Sequence, residues 1–314
     1  MPLLTTATRS QYVPPKTPLV VHTVAEYRAI REQWFREGLT VGFVPTMGAL
    51  HEGHLSLAHL ARAKCDRVVS SIFVNPAQFS PTEDLNQYPR TLPEDLALLS
   101  SASTDVAFVP SVSEIYPAGI TLNVSEQVGT FVEVRGKSHQ MEGAIRPHFF
   151  RGVATVVTKL LNVTQPTHAF FGQKDGQQCA VLRSMVRDLL VPTELVVGAT
   201  VREPDGLAMS SRNRYLTPGD RSAAPVLYAA LEAAQHAFNA GTKDRRSLLD
   251  IANGVIAKQP GVELQYLSLA NAFSLNEEEV VGPDGAILSG ALLVGKTRII
   301  DNVLLGLSTE TWAR

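Results

Sequence analysis

Residues 41–54 read Val-Gly-Phe-Val-Pro-Thr-Met-Gly-Ala-Leu-His-Glu-Gly-His, and no other stretch restricts the fold as tightly. Val41 to Val44 is a short apolar run of the kind buried in a parallel sheet. Pro45 is predicted to end it, because proline has no amide hydrogen to give to a ladder. Thr46-Met47-Gly48 read as a tight turn, and a helical pattern follows in Leu55, Ala58, Leu60 and Ala61. His51 and His54 therefore fall at a strand-to-helix junction. The first amides of a helix have no partners within it, and the helix dipole favours an anion there. Gly53 lets a ligand approach the backbone. Two imidazoles at such a point can donate to phosphate oxygens and, when protonated, neutralise charge on a leaving pyrophosphate. A zinc pair is the competing reading of His-x-x-His. It lacks a third ligand, since Cys65 and Cys179 are not near in sequence.

The rest of the chain alternates in the same way. A helix is predicted over 23–37, with Gly38 at its end, and further helices over 55–64, 93–101, 151–163 and 175–190. Short strands fall at 67–74, 105–109, 168–171 and 194–198. Such alternation marks an α/β fold with a Rossmann-like, doubly wound parallel sheet, whose ligands bind beyond the carboxyl ends of the strands. After Val201 the pattern changes to long helices at 217–240 and 244–258, then strands at 262–270, 286–294 and 298–305. The organisation read from this is a leader over 1–18, a nucleotide-binding domain over 19–200 and a smaller α+β lid domain over 201–314.

Of the 314 residues, 45% are apolar and 18% charged, and the formal charge is −2. That balance offers no basic surplus for a nucleic acid partner. No apolar run approaches the ~20 residues of a membrane span. Two cysteines make no disulfide framework, and both read as packing residues. The acid-poor, Thr/Ser/Pro-rich start admits an organelle transit peptide, but Pro14, Pro15 and Pro18 break any long helix. A disordered leader on a cytoplasmic protein is the preferred reading.

Polar clusters follow the strand ends. Asn75 and Gln78 are neutral groups suited to hydroxyl and carboxylate, or ordinary loop residues. Thr91 and Glu94 form a capping-box pattern at a helix start. Arg146 can clamp a carboxylate through two hydrogen bonds. Lys174 lies at a second strand-to-helix junction, where it can meet an α-phosphate, and Asp175 can cap the helix or bind ribose. Ser210-Ser211-Arg212 suits a triphosphate, although alone it is a common surface triplet. Gly290-Ala-Leu-Leu-Val-Gly-Lys-Thr297 matches the P-loop pattern. Strand-like residues on both sides of Gly295-Lys296 make it a hairpin instead.

Pro45-Thr-Met-Gly-Ala-Leu-His-Glu-Gly-His54, with four further blocks in order, resembles the pantoate–β-alanine ligase family within the His-x-Gly-His nucleotidyltransferases. The resemblance runs from about residue 20 through nearly the whole chain. It implies ATP-dependent condensation of pantoate with β-alanine through pantoyl adenylate, catalysed by His51, His54 and Lys174. It assigns ATP to Pro45, Met47, Gly48, Gly172, Lys174 and Asp175, and to Val201 and Met209 near adenine. Ser210, Ser211 and Arg212 would hold the β- and γ-phosphates. Pantoate and β-alanine fall to Gln78, Gln178, Asn75, Met47 and Arg146. Glu94 and Asp95 are implied near the Mg2+ that accompanies ATP, and a homodimer is implied. The chain departs from the family pattern at Phe149, where a histidine is usual and His148 stands one position earlier. Gln173 and Gly176 also replace commoner residues. Another nucleotidyltransferase of this fold, or a non-catalytic ATP-binding relative, are the alternative readings.

Overall fold

The computed structural model describes residues 12–312. In chain order the first unit contains β1 (Leu19–Val21), α1 (Val24–Arg36), β2 (Val41–Thr46), α2 (Glu52–Lys64), β3 (Arg67–Ile72), α3 (Leu92–Ser101) and β4 (Val106–Phe108). It continues with α4 (Val112–Ile115), α5 (Glu142–Ile145), α6 (Phe149–Thr164), β5 (His168–Gly172), α7 (Gly176–Asp188) and β6 (Glu194–Gly198). Its six strands form one parallel sheet in the order β1-β4-β3-β2-β5-β6. The chain leaves β2 first toward β3 and later returns on its other side as β5, so the sheet switches direction between β2 and β5. A parallel sheet opens a ligand crevice at such a point.

Pro45 does not end β2. The strand runs on to Thr46, paired with Ser71 and Ile72 of β3. On its other edge the ladder to β5 stops at Phe43. The reason is one-sided. Val41 accepts from Thr167 on the β5 side, while Thr46 accepts from Phe73 on the β3 side. Backbone groups alternate between the edges of a strand, so residue 45 faces β5, and it is that ladder the missing amide interrupts. Beyond Phe43 the two strands part.

The second unit holds α8 (Pro218–Ala223), α9 (Val226–Asn239), α10 (Arg245–Ile256), β7 (Val262–Asn271), β8 (Ala286–Val294), β9 (Thr297–Leu305) and α11 (Thr309–Trp312). The helix predicted over 217–240 is two helices. Pro225 lacks the amide that a continuous helix needs and breaks it. β7, β8 and β9 form an antiparallel sheet. The P-loop-like segment is the β8–β9 hairpin, with Val294 paired to Thr297 and Gly295 at φ 58°. A second apolar core fills this unit, with Leu227, Leu231, Leu248, Leu288 and Leu292 against one another. Ile287 and Leu304 instead join the core of the first unit.

β1 has no counterpart among the strands expected from the sequence. The leader expected over 1–18 lies partly outside the described residues, at 1–11. Within its remainder, which is mostly exposed, Tyr12 meets the body: its hydroxyl donates to Asp105 at 2.6 Å and its ring lies 3.6 Å from the Arg67 guanidinium. Cys65 and Cys179 are free and buried, as packing residues should be. No helix among the described residues is long and apolar enough to cross a membrane.

One close approach sets the position of the loop after β3. Gly152 of α6 lies against residues 77–78, and an added Cβ would come within 2.1 Å of the Ala77 carbonyl oxygen. Neither backbone can retreat easily. Gly152→Ala should cost about 1–3 kcal/mol by overpacking, read as a lowered urea midpoint; unaltered stability would mean that α6 moves freely against this loop.

Candidate active site

A cleft of about 900 Å³ opens at the carboxyl ends of β2, β3 and β5 and is walled on its far side by β9 and the 199–213 segment. The turn after β2 is held from beneath by Asp95. That carboxylate is 1% exposed and accepts the amides of Ala49 at 3.0 Å and Leu50 at 2.8 Å. Thr91 hydroxyl also donates to it, at 3.2 Å, and makes no cap on α3, so the predicted Thr91–Glu94 box is absent. These contacts bear on the magnesium expected at Glu94 and Asp95. Both Asp95 oxygens are engaged, Glu94 is exposed, and neither residue lines the cleft. Among the described residues no group of three His, Cys, Asp or Glu side chains could hold a metal ion. Gly48 likewise serves the turn, at φ +82°, and does not line the cleft.

His51 and His54 cap α2 for one another. His51 Nδ1 accepts the Gly53 amide at 3.2 Å, and His54 Nδ1 accepts the His51 amide at 3.4 Å. Their rings lie 4.1 Å apart, tilted by 47°. Burial, followed by His54 and Lys174, lowers the His51 pKa from 6.5 to about 3. Burial and then Lys174 lower His54 to about 4. Both rings are therefore neutral at pH 7. An Nδ1 that accepts leaves its proton on Nε2, so each ring offers one N–H donor. Of the two states the sequence admits, they meet the cleft as neutral donors.

Lys174 lies in the 3-10 turn Gln173–Asp175 that links β5 to α7, its Nζ 3.8 Å from Asp175. Asp175 makes no helix cap and lines the cleft instead. Gln78 Nε2 donates to Met47 Sδ at 3.4 Å and its Oε1 accepts from Asn75 at 3.0 Å. Asn75, 1% exposed, is fully engaged, also donating to the Gly152 carbonyl and accepting from Tyr116. It positions Gln78 and has no hydrogen-bonding atom left for a ligand. Gln177 ties the 137–142 segment to α7, and Gln178 lines the cleft. Pro45, Met47, Gly172, Val201, Met209 and Ser210 line it too.

Both arginines expected to hold anions are already paired. Arg212 grips Asp84 through two 3.0 Å hydrogen bonds. Burial raises the Asp84 carboxyl, Arg212 outweighs it, and the net pKa falls below the usual value. Arg146 binds Glu83 at 3.0 and 2.6 Å and lies 3.8 Å over the Phe149 ring. His148 is exposed and outside the cleft, so this motif presents an arginine–phenylalanine stack to it. Ser211 donates to the Ala49 carbonyl at 2.9 Å, which fastens the 210–212 segment to the histidine turn. Sequence reasoning missed Glu83, Asp84, Glu142 and Arg298, which pair across the cleft. No local pattern marks these hydrogen bonds, which join residues at least 63 positions apart, although Arg146 also lies 3.6 Å from Glu142, four residues before it.

A parallel sheet with imidazole and ammonium donors at its switch point, faced by the hydroxyl-bearing 210–212 segment, is the arrangement of an α/β nucleotidyl-transferring enzyme. The family model described as pantoate-beta-alanine ligase matches residues 19–304, and the chain belongs to that family. It is 51% identical over 286 residues to the pantothenate synthetase of Herpetosiphon aurantiacus, covering 91% of this chain and 99% of that one. Identity to the enzyme of Chloroflexus aggregans is also 51% over 286 residues, with the same coverage. Among solved structures, pantothenate synthetase from Thermus thermophilus superposes with a TM-score of 0.83 at 44% identity, over 91% of this chain and 98% of that one. The Francisella tularensis ligase, complexed with beta-gamma ATP and beta-alanine, gives 0.73 at 33% identity, over 93% and 99%.

The two lowered histidine values carry a consequence for stability. From about pH 6.5 down to about 4, the unfolded chain takes up protons that the folded site refuses. Stability therefore falls as pH drops through that window, by at most about 1.4 kcal/mol per pH unit for each histidine. His54→Gln should flatten the slope of unfolding free energy against pH there, measured in urea; an unchanged slope would show that His54 titrates alike in both states.

Proposed function

We propose that this chain makes pantothenate from pantoate and β-alanine with ATP, in two steps within the one cleft. A pantoate carboxylate oxygen attacks the α-phosphorus. The bond to the bridging oxygen breaks, and pyrophosphate leaves with the electron pair. The β-alanine amine then attacks the acyl carbon of pantoyl adenylate, the bond to AMP breaks, and the nitrogen loses its proton.

The observation that carries this reading is the convergence of His51, His54 and Lys174 at the switch point of the sheet, with Gln78 and Gln178 lining the same cleft. In the first step negative charge builds on the α-phosphate and the departing oxygens. Two neutral Nε2–H donors and one ammonium at fixed positions stabilise that charge without reorganising. Gln78 and Gln178, uncharged, suit the hydroxyls and carboxylate of pantoate. The same reading assigns the ribose to Asp175, adenine to Val201 and Met209, and the β- and γ-phosphates to Ser210, Ser211 and Arg212. Residues 201–314 then act as a lid domain that keeps the acyl adenylate from water. Magnesium belongs to the nucleotide in this reading, because it favours phosphate oxygens and water over a protein cage. A homodimer rests on the family resemblance alone.

His54→Ala and Lys174→Ala should each lower pantoate-dependent pyrophosphate release by about 100- to 1,000-fold. Lys174→Ala should leave the urea midpoint within error, whereas His54→Ala also loses a cap of α2 and should cost about 1 kcal/mol of stability. Full turnover in either folded variant would remove that residue from the mechanism. ATP must take Arg212 from Asp84, so Asp84→Asn should lower KM for ATP several-fold. A raised KM would mean that Asp84 helps to bind the nucleotide.

A further inference from the structure

We infer that Asn302, on β9 of the second unit, is a positioning residue for Lys174. The inference rests on the adenylation role proposed for that lysine. Asn302 is 2% exposed and reaches across the seam between the units. Its Nδ2 donates to the carbonyl oxygens of Gln173 at 2.8 Å and Lys174 at 3.0 Å. Its Oδ1 accepts from Gln173 Nε2 at 3.3 Å. Both amide hydrogens and the carbonyl oxygen are thus committed to the turn that carries Lys174. The fit is close enough that position 176 must be small: a Cβ on Gly176 would stand 3.0 Å from Asn302 Nδ2 and 2.5 Å from Ile287 Cδ1.

Asn302 is itself braced from behind. Its amide donates to Asp301 Oδ1 at 2.8 Å. Asp301 binds Arg202 through two hydrogen bonds, at 2.5 and 3.1 Å. Arg202 lies 3.6 Å over the Tyr228 ring and donates to the Gly206 carbonyl at 3.1 Å. Gly206 lies four residues before Ser210 on the same excursion of chain. The turn bearing Lys174 and the segment bearing the hydroxyls are therefore tied to one strand. Lys174 has four rotatable carbons, and fixing its main chain narrows the region its ammonium can sample. A displacement of about 1 Å at such a group costs on the order of 100-fold in rate.

Asn302→Asp keeps the shape but turns two donors into acceptors facing two carbonyl oxygens. Asn302→Ala removes the contacts without repulsion, and serves if the aspartate variant does not fold. Both are measured in the wild-type and the Lys174→Ala backgrounds, by pantoate-dependent pyrophosphate formation in single turnovers, with far-UV circular dichroism and urea midpoints alongside. In the wild-type background we expect the adenylation rate to fall about 10- to 100-fold, with KM for pantoate within about twofold. In the Lys174→Ala background the same substitution should cost less than about threefold, because the group it positions is gone. Equal losses in the two backgrounds would overturn the inference and leave the lysine's role standing. A Lys174→Ala enzyme at full rate would instead remove the adenylation role, and the positioning role with it. An undiminished rate in folded Asn302→Ala would overturn the positioning role alone.

Discussion

The two histidines at the start of α2 are each other's caps, and the chemistry of the cleft depends on that exchange. A helix start usually takes a hydroxyl or carboxylate to satisfy its first amides. Here the acceptors are ring nitrogens, His51 Nδ1 for Gly53 and His54 Nδ1 for His51. One arrangement thereby ends the turn, orients both rings and decides which nitrogen holds the proton. Burial then removes the ambiguity of charge, since both pKa values lie well under neutrality. Asp95 supports this from below by holding the Ala49 and Leu50 amides, and Ser211 from above through the Ala49 carbonyl.

Much of this was legible in the chain because it is local. A four-residue apolar run, a glycine turn and a helical period describe β2 and α2 without outside information, and the same holds for β5, Lys174 and α7. What stayed hidden was relational. Arg146 and Arg212 can be recognised as anion ligands, but their pairing with Glu83 and Asp84 depends on how distant segments meet. Glu94 and Asp95 looked like an acidic pair, yet adjacent residues on a helix point in different directions, and one is buried while the other faces water. Asn75 lines the cleft as expected of a ligand contact, and only the fold shows that Tyr116 and Gly152 already engage its side chain. The 217–240 stretch differs for a simpler reason: its alanines favour one helix, and Pro225 divides it into two.

The second unit does more than cover the first. Arg298 on β9 pairs with Glu142 at the start of α5, four residues along the strand from Asn302. Two points of one strand therefore meet two separate parts of the cleft wall. The segment before Ser210 joins the same framework through Arg202 and Asp301. Ile287 and Leu304 extend the first unit's core into the second, so the seam is continuous apolar packing as well as polar contacts.

Pro45 acts on the sheet as a stop acts on a zip. Two parallel strands with matched backbones would go on pairing to their ends, and the space between β2 and β5 would close over with hydrogen bonds. A single missing hydrogen, on the edge that faces β5, halts the pairing at Phe43 and leaves the other edge whole. The gap in which a nucleotide would lie is thus made by subtraction, from one atom that proline does not possess.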